Sequence, residues 1–327
     1  MMRKTKSIPV FILQRILQVI PIVLGTIFIT FLLLELSGDP ITALGGDFAL
    51  PDETVEHLTK AYGLDKPVYQ RFFIYISKVL RGDFGYSYKQ GRPVMEIIME
   101  RMPATILLGA ATYVISTILG VAMGVIASLK PRSWLDNLIV TLSVMGFSTP
   151  AFWFAQLSIF IFSVLLGWLP GFGMRTLDLV DTSLLAVIID RAKYLILPAF
   201  VLSINGLATL ARVTRANMLE VMHKDFITTA RAKGCSEFAV LIRHKLRNIM
   251  LVLITLIGLR AGMLVSGSVL IETVFSWPGV GRLMYNAISS RDFPVVLGGF
   301  LITAGMTIFI NLTTDILYTI LDPRVRY

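Results

Sequence analysis

Cysteine is nearly missing from this chain: Cys235 is the single one in 327 residues. No internal disulfide can form, and a paired-thiol redox site is excluded. Histidine is scarce too. His57, His223 and His244 are the whole supply, and their spacing matches no metal-ligand motif, so no metal site is expected. The largest deficit is charge. Asp, Glu, Lys and Arg make up 16% of the residues, against about a quarter in soluble domains. With 55% hydrophobic residues and a mean hydropathy of +0.74, the chain reads as bilayer-embedded. A phosphate-binding G-x-x-x-x-G-K-[ST] run is also absent. The nearest stretch, "GYSYKQGRP" at residues 85–93, has the wrong spacing and an arginine in place of the lysine. ATP hydrolysis by that route is excluded.

What is present is long apolar runs. The first, residues 16–34, follows Arg3, Lys4, Lys6 and Arg15. It is long enough to cross a bilayer, which takes about 20 residues. It is also too long for a signal-peptide core, and Glu35, Gly38, Asp39 and Pro40 follow it instead of a small-residue cleavage site. Five more runs lie at 104–128, 138–166, 195–211, 249–270 and 295–320; Asn205 and Gly206 interrupt the fourth. Six spans put both termini on one side, and lysine and arginine choose which. The N-terminal cluster, Lys130, Arg132, Arg212, Arg215, the bases of residues 224–247, Arg324 and Arg326 all fall together. Both termini are therefore expected in the cytoplasm. The net charge of +9 is then a topology signal, with membrane lipid as the surround and no nucleic-acid partner. The expected fold is all-α and integral to the membrane, with six transmembrane helices. Residues 1–36 form the N-terminus and first span, 37–103 an external, periplasmic-side helical segment, 104–320 the transmembrane core and 321–327 a cytoplasmic tail. A cytoplasmic loop covers 212–248.

The external segment carries helix punctuation. "LPDETVEHLTKAYG" starts at Pro51, places Asp52 and Glu53 in its first turn and stops at Gly63. "LDKPVYQRFFIYISKVLRG" repeats the design with Asp65 as the expected N-cap, a stripe of Phe72, Ile76 and Val79, and Gly82 as the stop. A packed cap over the membrane part and a surface for an external partner both fit.

The most unusual stretch is "DFITTARAKGCSEFAVLIRHKLRN", residues 225–248, a basic island between apolar runs. Asp225 is the expected N-cap of a two-turn helix from Phe226 to Lys233, with Gly234 just past its end. Ser236 then caps a second helix, with Glu237 in its first turn and Lys245 and Arg247 near its end. So short a helix is unstable alone and needs a surface to lie on. Phe226, Ala230 and Lys233 share one face that would suit a groove on another protein. A solvated loop resting on headgroups is equally compatible with the charge.

Here the island resembles the cytoplasmic signature loop of permease subunits of binding-protein-dependent ABC importers: Glu-Ala-Ala, a downstream Gly, then Ile-x-Leu-Pro. Those positions hold Thr228, Thr229 and Ala230, then Gly234, then His244, Leu246 and Arg247. Ala230, Gly234 and Leu246 match. Longer stretches resemble the first permease of the dipeptide and oligopeptide subgroup: "RVTRANMLEVMHKDFITTARAKG", "ETVFSWPGVGRLMYNAISSRDFPVV", "YGLDKPVYQRF", "GDFGYS" and the terminal "LDPRVR". The resemblance implies a type I importer permease, a half-channel without enzyme activity. It implies a second permease, a paralogue, two ABC ATPase subunits that use ATP, and an extracytoplasmic substrate-binding protein. No cofactor is bound by the chain itself. It assigns ATPase coupling to Asp225, Phe226, Ala230, Arg231, Lys233, Gly234 and Leu246, and di- or oligopeptides as cargo. Nickel or another metal chelate is the alternative cargo, and an ATP-independent channel or secondary transporter the more distant one.

Ionisable residues inside spans are functional candidates. Arg260 in the fifth span and Asp315 in the sixth either pair with each other or line the path, where Arg260 would meet a peptide carboxylate. Glu35, at the end of the first span, is expected to reach water. Pro150, inside the third span, predicts a kink. "GVGRLM" at residues 279–284 starts like a dinucleotide fingerprint but lacks the third glycine.

Overall fold

Apolar runs of this length can satisfy their backbone polar groups only as helices in lipid, and helices are what they form. The computed structural model describes residues 8–36, 55, 59, 65–176, 183–262 and 269–321. Of the helix expected between Pro51 and Gly63, only Val55 and Thr59 lie within those residues, joined by a bond from the Thr59 hydroxyl to the Val55 carbonyl.

The helices are α1 (Ile8–Leu36), α2 (Val68–Leu80), α3 (Val94–Leu129), α4 (Trp134–Ser148), α5 (Ala151–Ile159), α6 (Leu184–Met222), α7 (Asp225–Ala232), α8 (Glu237–Ala239), α9 (Arg247–Leu259), α10 (Val269–Val274), α11 (Val280–Ser289) and α12 (Phe293–Leu321). Wider i→i+5 turns extend α5 over Phe160–Leu165 and join α8 to α9 over Val240–Leu246. Among the described residues, α1, α3, α6 and α12 are each long and apolar enough to cross a membrane. The pair α4 and α5 makes a fifth crossing only as one broken span, bent by 106°. This differs from the expected kink at Pro150. The proline has extended backbone and opens α5 as its N-cap, so it ends one helix and begins the next. The expected fifth span is also divided. Helix α9 ends at Arg260, and α10 resumes beyond residues 263–268, which are outside the described set.

The centre of the molecule is the pair α3 and α6, the most extensive helix contact. Gly120 faces Leu207 and Leu210, and Gly124 faces Ala211 and Thr214, so the two helices run in the same direction. A β-carbon at Gly124 would lie 2.6 Å from the Ala211 carbonyl oxygen. That backbone cannot step aside, which is why small residues suit close helix pairs in membranes. Gly124→Leu is expected to force α3 and α6 apart at about 1–3 kcal/mol, read as a lower melting temperature of the detergent-solubilised protein; an unchanged melt would contradict the close packing.

Two ends can be distinguished. The basic end carries α7, α8 and the turn into α4. There Asp136, almost fully buried, accepts two bonds from Arg215 at 2.5 and 2.7 Å and one from the Arg132 amide at 2.8 Å. The opposite end carries α2, α10 and α11. Helix α2 lies against α1 through Phe28, Phe31, Phe72 and Tyr75, and Arg71 pairs with Glu35 at 2.9 Å. Glu35 is thus part-buried and paired. Pro67, not Asp65, sits at the N-cap of α2, with no side-chain cap bond. The Pro67 carbonyl instead accepts from the Gln70 amide at 2.9 Å, which serves one of the open donors of the first turn. Gly82, with φ +78°, closes the helix as expected.

Candidate functional site

Helix α7 begins one residue before the sequence suggests. Asp225 is its first residue and Lys224 its extended N-cap, so Asp225 meets the helix dipole without capping. The C-terminus is built as expected. Gly234, at φ +77°, lets its amide reach the Arg231 carbonyl at 2.9 Å while the Cys235 amide reaches Ala230 at 3.2 Å. This is the paired closure that a left-handed residue permits. Ser236 caps α8 by accepting from the Ala239 amide. Arg231 bridges both helices with a two-pronged bond to Glu237 at 2.7 and 3.1 Å. That guanidinium holds the Glu237 carboxyl below the usual range.

The face that α7 turns inward is Ile227, 0% exposed, and Ala230, 5% exposed. They pack on Met218 and Val221 of α6, Val240, and Ile249 and Leu253 of α9. Ala230 therefore does not share an outer face with Phe226 and Lys233 as the sequence suggests. A residue three positions from Ile227 lies on the same side of a helix, and its small size brings the helix close to the core. Leu246 is likewise turned partly against this cluster. The outer face consists of Asp225, Phe226, Thr228, Thr229, Arg231 and Lys233. Phe226 is 38% exposed, and Phe238, just beyond the turn, is 74% exposed. Burial pushes the nearby Lys245 ammonium down from the usual lysine range. Helix α7 is thus short, with its inner face locked to α6 and α9 and Phe226 and Phe238 turned outward.

Arg260 and Asp315 do not pair. Asp315 on α12 meets Arg15 on α1 at 3.3 Å, which joins the first and last spans. Arg260 closes α9 and donates to the Gly206 carbonyl of α6 at 2.7 Å. A β-carbon at Gly206 would collide with its guanidinium. The glycine that interrupts the fourth apolar run is thus the seat of the arginine.

At the opposite end, the buried carboxylates Glu272 and Asp292 hold neighbouring elements together. Glu272 of α10, 0% exposed, accepts from the Thr105 hydroxyl at 2.9 Å and the Arg282 amide at 3.0 Å. Thr105 in turn accepts from the Val280 amide at 2.8 Å. The open donors at the start of α11 are satisfied from α3 and α10. Trp277, fully buried, completes the join by donating to the Ala104 carbonyl at 2.8 Å. This accounts for the glycines of "GVGRLM": a β-carbon at Gly279 or Gly281 would strike the Glu272 carboxylate. Asp292, before α12, takes bonds from the Ser87 hydroxyl and from the Tyr88 amide at 3.0 Å, which docks the loop after α2. The signal available in sequence was an acid in an apolar context just ahead of a glycine-rich turn. Beside this join, a concavity of about 820 Å³ is lined by Arg101, Arg175, Arg191, Arg282, Phe172 and Tyr194.

Residues 116–327 match the family model described as binding-protein-dependent transport system inner membrane component, and residues 8–109 match its N-terminal companion. A putative peptide transport system permease protein of Brucella abortus (strain 2308) is 42% identical over 317 residues, covering 97% of this chain and 98% of that one. The dipeptide transport system permease protein DppB of Escherichia coli (strain K12) is 40% identical over 334 residues, with coverage of 97% and 98%. The oligopeptide transport system permease protein AppB of Bacillus subtilis (strain 168) is 39% identical over 319 residues, with coverage of 97% and 99%. Among solved structures, a chain of the inward-facing MetNI methionine ABC transporter aligns with a TM-score of 0.51 at 14% identity. The alignment covers 70% of this chain and 97% of that one, so the two share a fold. Long apolar helices, a clamped basic-end loop and near full-length similarity agree: this chain is a multi-pass membrane protein that belongs to the family of inner membrane components of binding-protein-dependent transport systems.

Proposed function

We propose that this chain is one half of the membrane channel of a peptide importer, driven by ATP hydrolysis on separate ABC ATPase subunits. The observation that carries the reading is α7: a two-turn helix capped at its C-terminus, seated through Ile227 and Ala230, and offering Phe226 outward. A groove on each ATPase would take that face, and closure of the ATPases would rock α6 and α9 through it. The basic end is cytoplasmic in this reading, and so are both termini, in keeping with the lysine and arginine distribution. The other half-channel is a paralogue. An external binding protein delivers cargo at the opposite end, where the arginine-lined concavity suits an acidic surface. Asp225, Phe226, Arg231, Lys233 and Gly234 make or shape the ATPase contact, while Ala230 and Leu246 seat it from behind.

Peptide cargo is favoured over nickel or a metal chelate because the three relatives above carry peptide names over nearly their whole length. Cys235, next to Gly234 and the lone thiol of the chain, gives a direct test. A short thiol-directed photocrosslinker attached there in native membranes should capture a nucleotide-binding ATPase, with a yield that changes when ATP is added. Efficient labelling that captures lipid alone would overturn the coupling assignment. Growth of a deletion strain on single peptides, compared with growth under nickel limitation, separates the two cargoes.

A further inference from the structure

Arg260 is a cation deep in the membrane part, and no carboxylate among the described residues accounts for it. It lies where α9 breaks, against Gly206, which is near the middle of the long span α6. Asp315, the acid expected beside it, is committed to Arg15. Among the described residues, no ion pair includes Arg260; the ones nearest the membrane part join Arg15 to Asp315, Arg71 to Glu35 and Arg215 to Asp136. Its surroundings are polar but neutral. Asn205, the neighbour of Gly206, is exposed in mid-span, and the Tyr113 hydroxyl of α3 donates to the Ile257 carbonyl one turn before Arg260.

A guanidinium in lipid without a counter-ion is costly, and such residues face a bundle interior or a water-filled cavity. An exposed asparagine in mid-span meets the same constraint. Asn205 directly precedes the Gly206 that seats the guanidinium, so the two polar groups lie at one level of the helix bundle. One guanidinium nitrogen is used on the Gly206 carbonyl. That bond fixes the plane and leaves the remaining N–H donors as a fork, the arrangement that suits a carboxylate.

We propose that Arg260 is the carboxylate-recognising residue of the translocation path, with Asn205 as an accessory donor, and that it meets the free C-terminus of a passing peptide. This rests on the peptide-import reading and adds a chemical selectivity to it. Gly206 is the positioning residue. It seats the guanidinium against α6, so a side chain there would displace the fork. A single guanidinium attracts the carboxylate into the path, and the absence of further cations beside it among the described residues allows release.

The test restores charge by chemistry. Arg260→Cys is placed in the assembled importer, and uptake of a labelled dipeptide is followed after treatment with methanethiosulfonates applied from outside. One reagent adds an aminoethyl cation and the other a sulfonatoethyl anion. The unsubstituted protein, which carries the same Cys235, is treated in parallel. Uptake by the variant should fall at least tenfold, recover to a sizeable fraction with the cationic adduct and stay low with the anionic one. A purely structural role predicts the same response to both adducts, and that result would overturn the proposal. So would a thiol at this position that neither reagent reaches. Arg260→Lys and Arg260→Gln provide a second arm should the cysteine variant fail to insert. Lysine should keep most of the uptake and glutamine, which donates but has no charge, should lose it; equal uptake by both would count against a carboxylate site. Failure of the unsubstituted importer to take up any peptide would strike the import reading itself.

Discussion

Glu272→Ala should be among the most destabilising single substitutions in this protein. The carboxylate is fully buried and takes bonds from Thr105 and from the Arg282 amide at the start of α11. Alanine removes the acceptor and leaves those donors without water or partner. Each orphaned buried donor costs about 1–3 kcal/mol, so the sum is expected at roughly 3 kcal/mol or more. Glu272→Gln keeps one acceptor oxygen and should cost less, although its amide turns donors towards donors. Gly279→Ala should approach the alanine variant from the other side, because its β-carbon would strike the same carboxylate. Trp277, buried within this join, supplies the readout as intrinsic fluorescence during thermal unfolding in detergent. A Glu272→Ala protein that melts like the unsubstituted one would show that the join between α3, α10 and α11 does not depend on this carboxylate.

Phe226 and Ile227 are neighbours with opposite expected phenotypes. Ile227→Ala removes a fully buried side chain from the cluster formed with Met218, Val221, Val240, Ile249 and Leu253. Its expected cost is about 2–4 kcal/mol, and it should loosen α7 from the spans. Phe226→Ala leaves that cluster whole, and an exposed substitution of this kind changes stability by about 0.5 kcal/mol at most. Its loss should appear at the partner. An aromatic anchor in an interface is often worth about 2 kcal/mol or more, so ATPase capture should weaken at least tenfold, with peptide-stimulated ATP hydrolysis falling alongside. Melting temperature, ATPase co-purification and transport measured on both variants separate the roles. If Phe226→Ala lowers the melt while ATPase binding persists, the outward face of α7 is not the contact.

Much of this was readable in one dimension because it depends on local chemistry. Apolar runs in lipid can only be helices, so α1, α3, α6 and α12 were legible from hydropathy. Gly234 and Gly82 announced their turns because a left-handed residue favours glycine. Ser236 announced α8 by its capping oxygen. The positions that misled were those whose role depends on a distant neighbour. Pro150 was legible as a break in the hydrogen-bond ladder, but whether the chain kinks or turns by 106° is settled by what packs on each half. Spacing alone puts Ala230 and Phe226 on one face, yet the side of α7 that is buried depends on where α6 and α9 lie.

Sequence alone therefore determined the medium, the helical class, and the basic-end loop with its Gly234 stop and Ser236 cap, since each follows from composition or from contacts within a few residues. Tertiary structure decided the pairings. Arg15 takes Asp315 across the length of the chain, Gly206 makes room for Arg260, and Glu272 serves the amides of α11 through Thr105 of α3. The physical reason is that an ion pair or a buried hydrogen bond is defined by a few ångströms in space and carries no periodicity along the chain. Only the packed helices bring its two ends together.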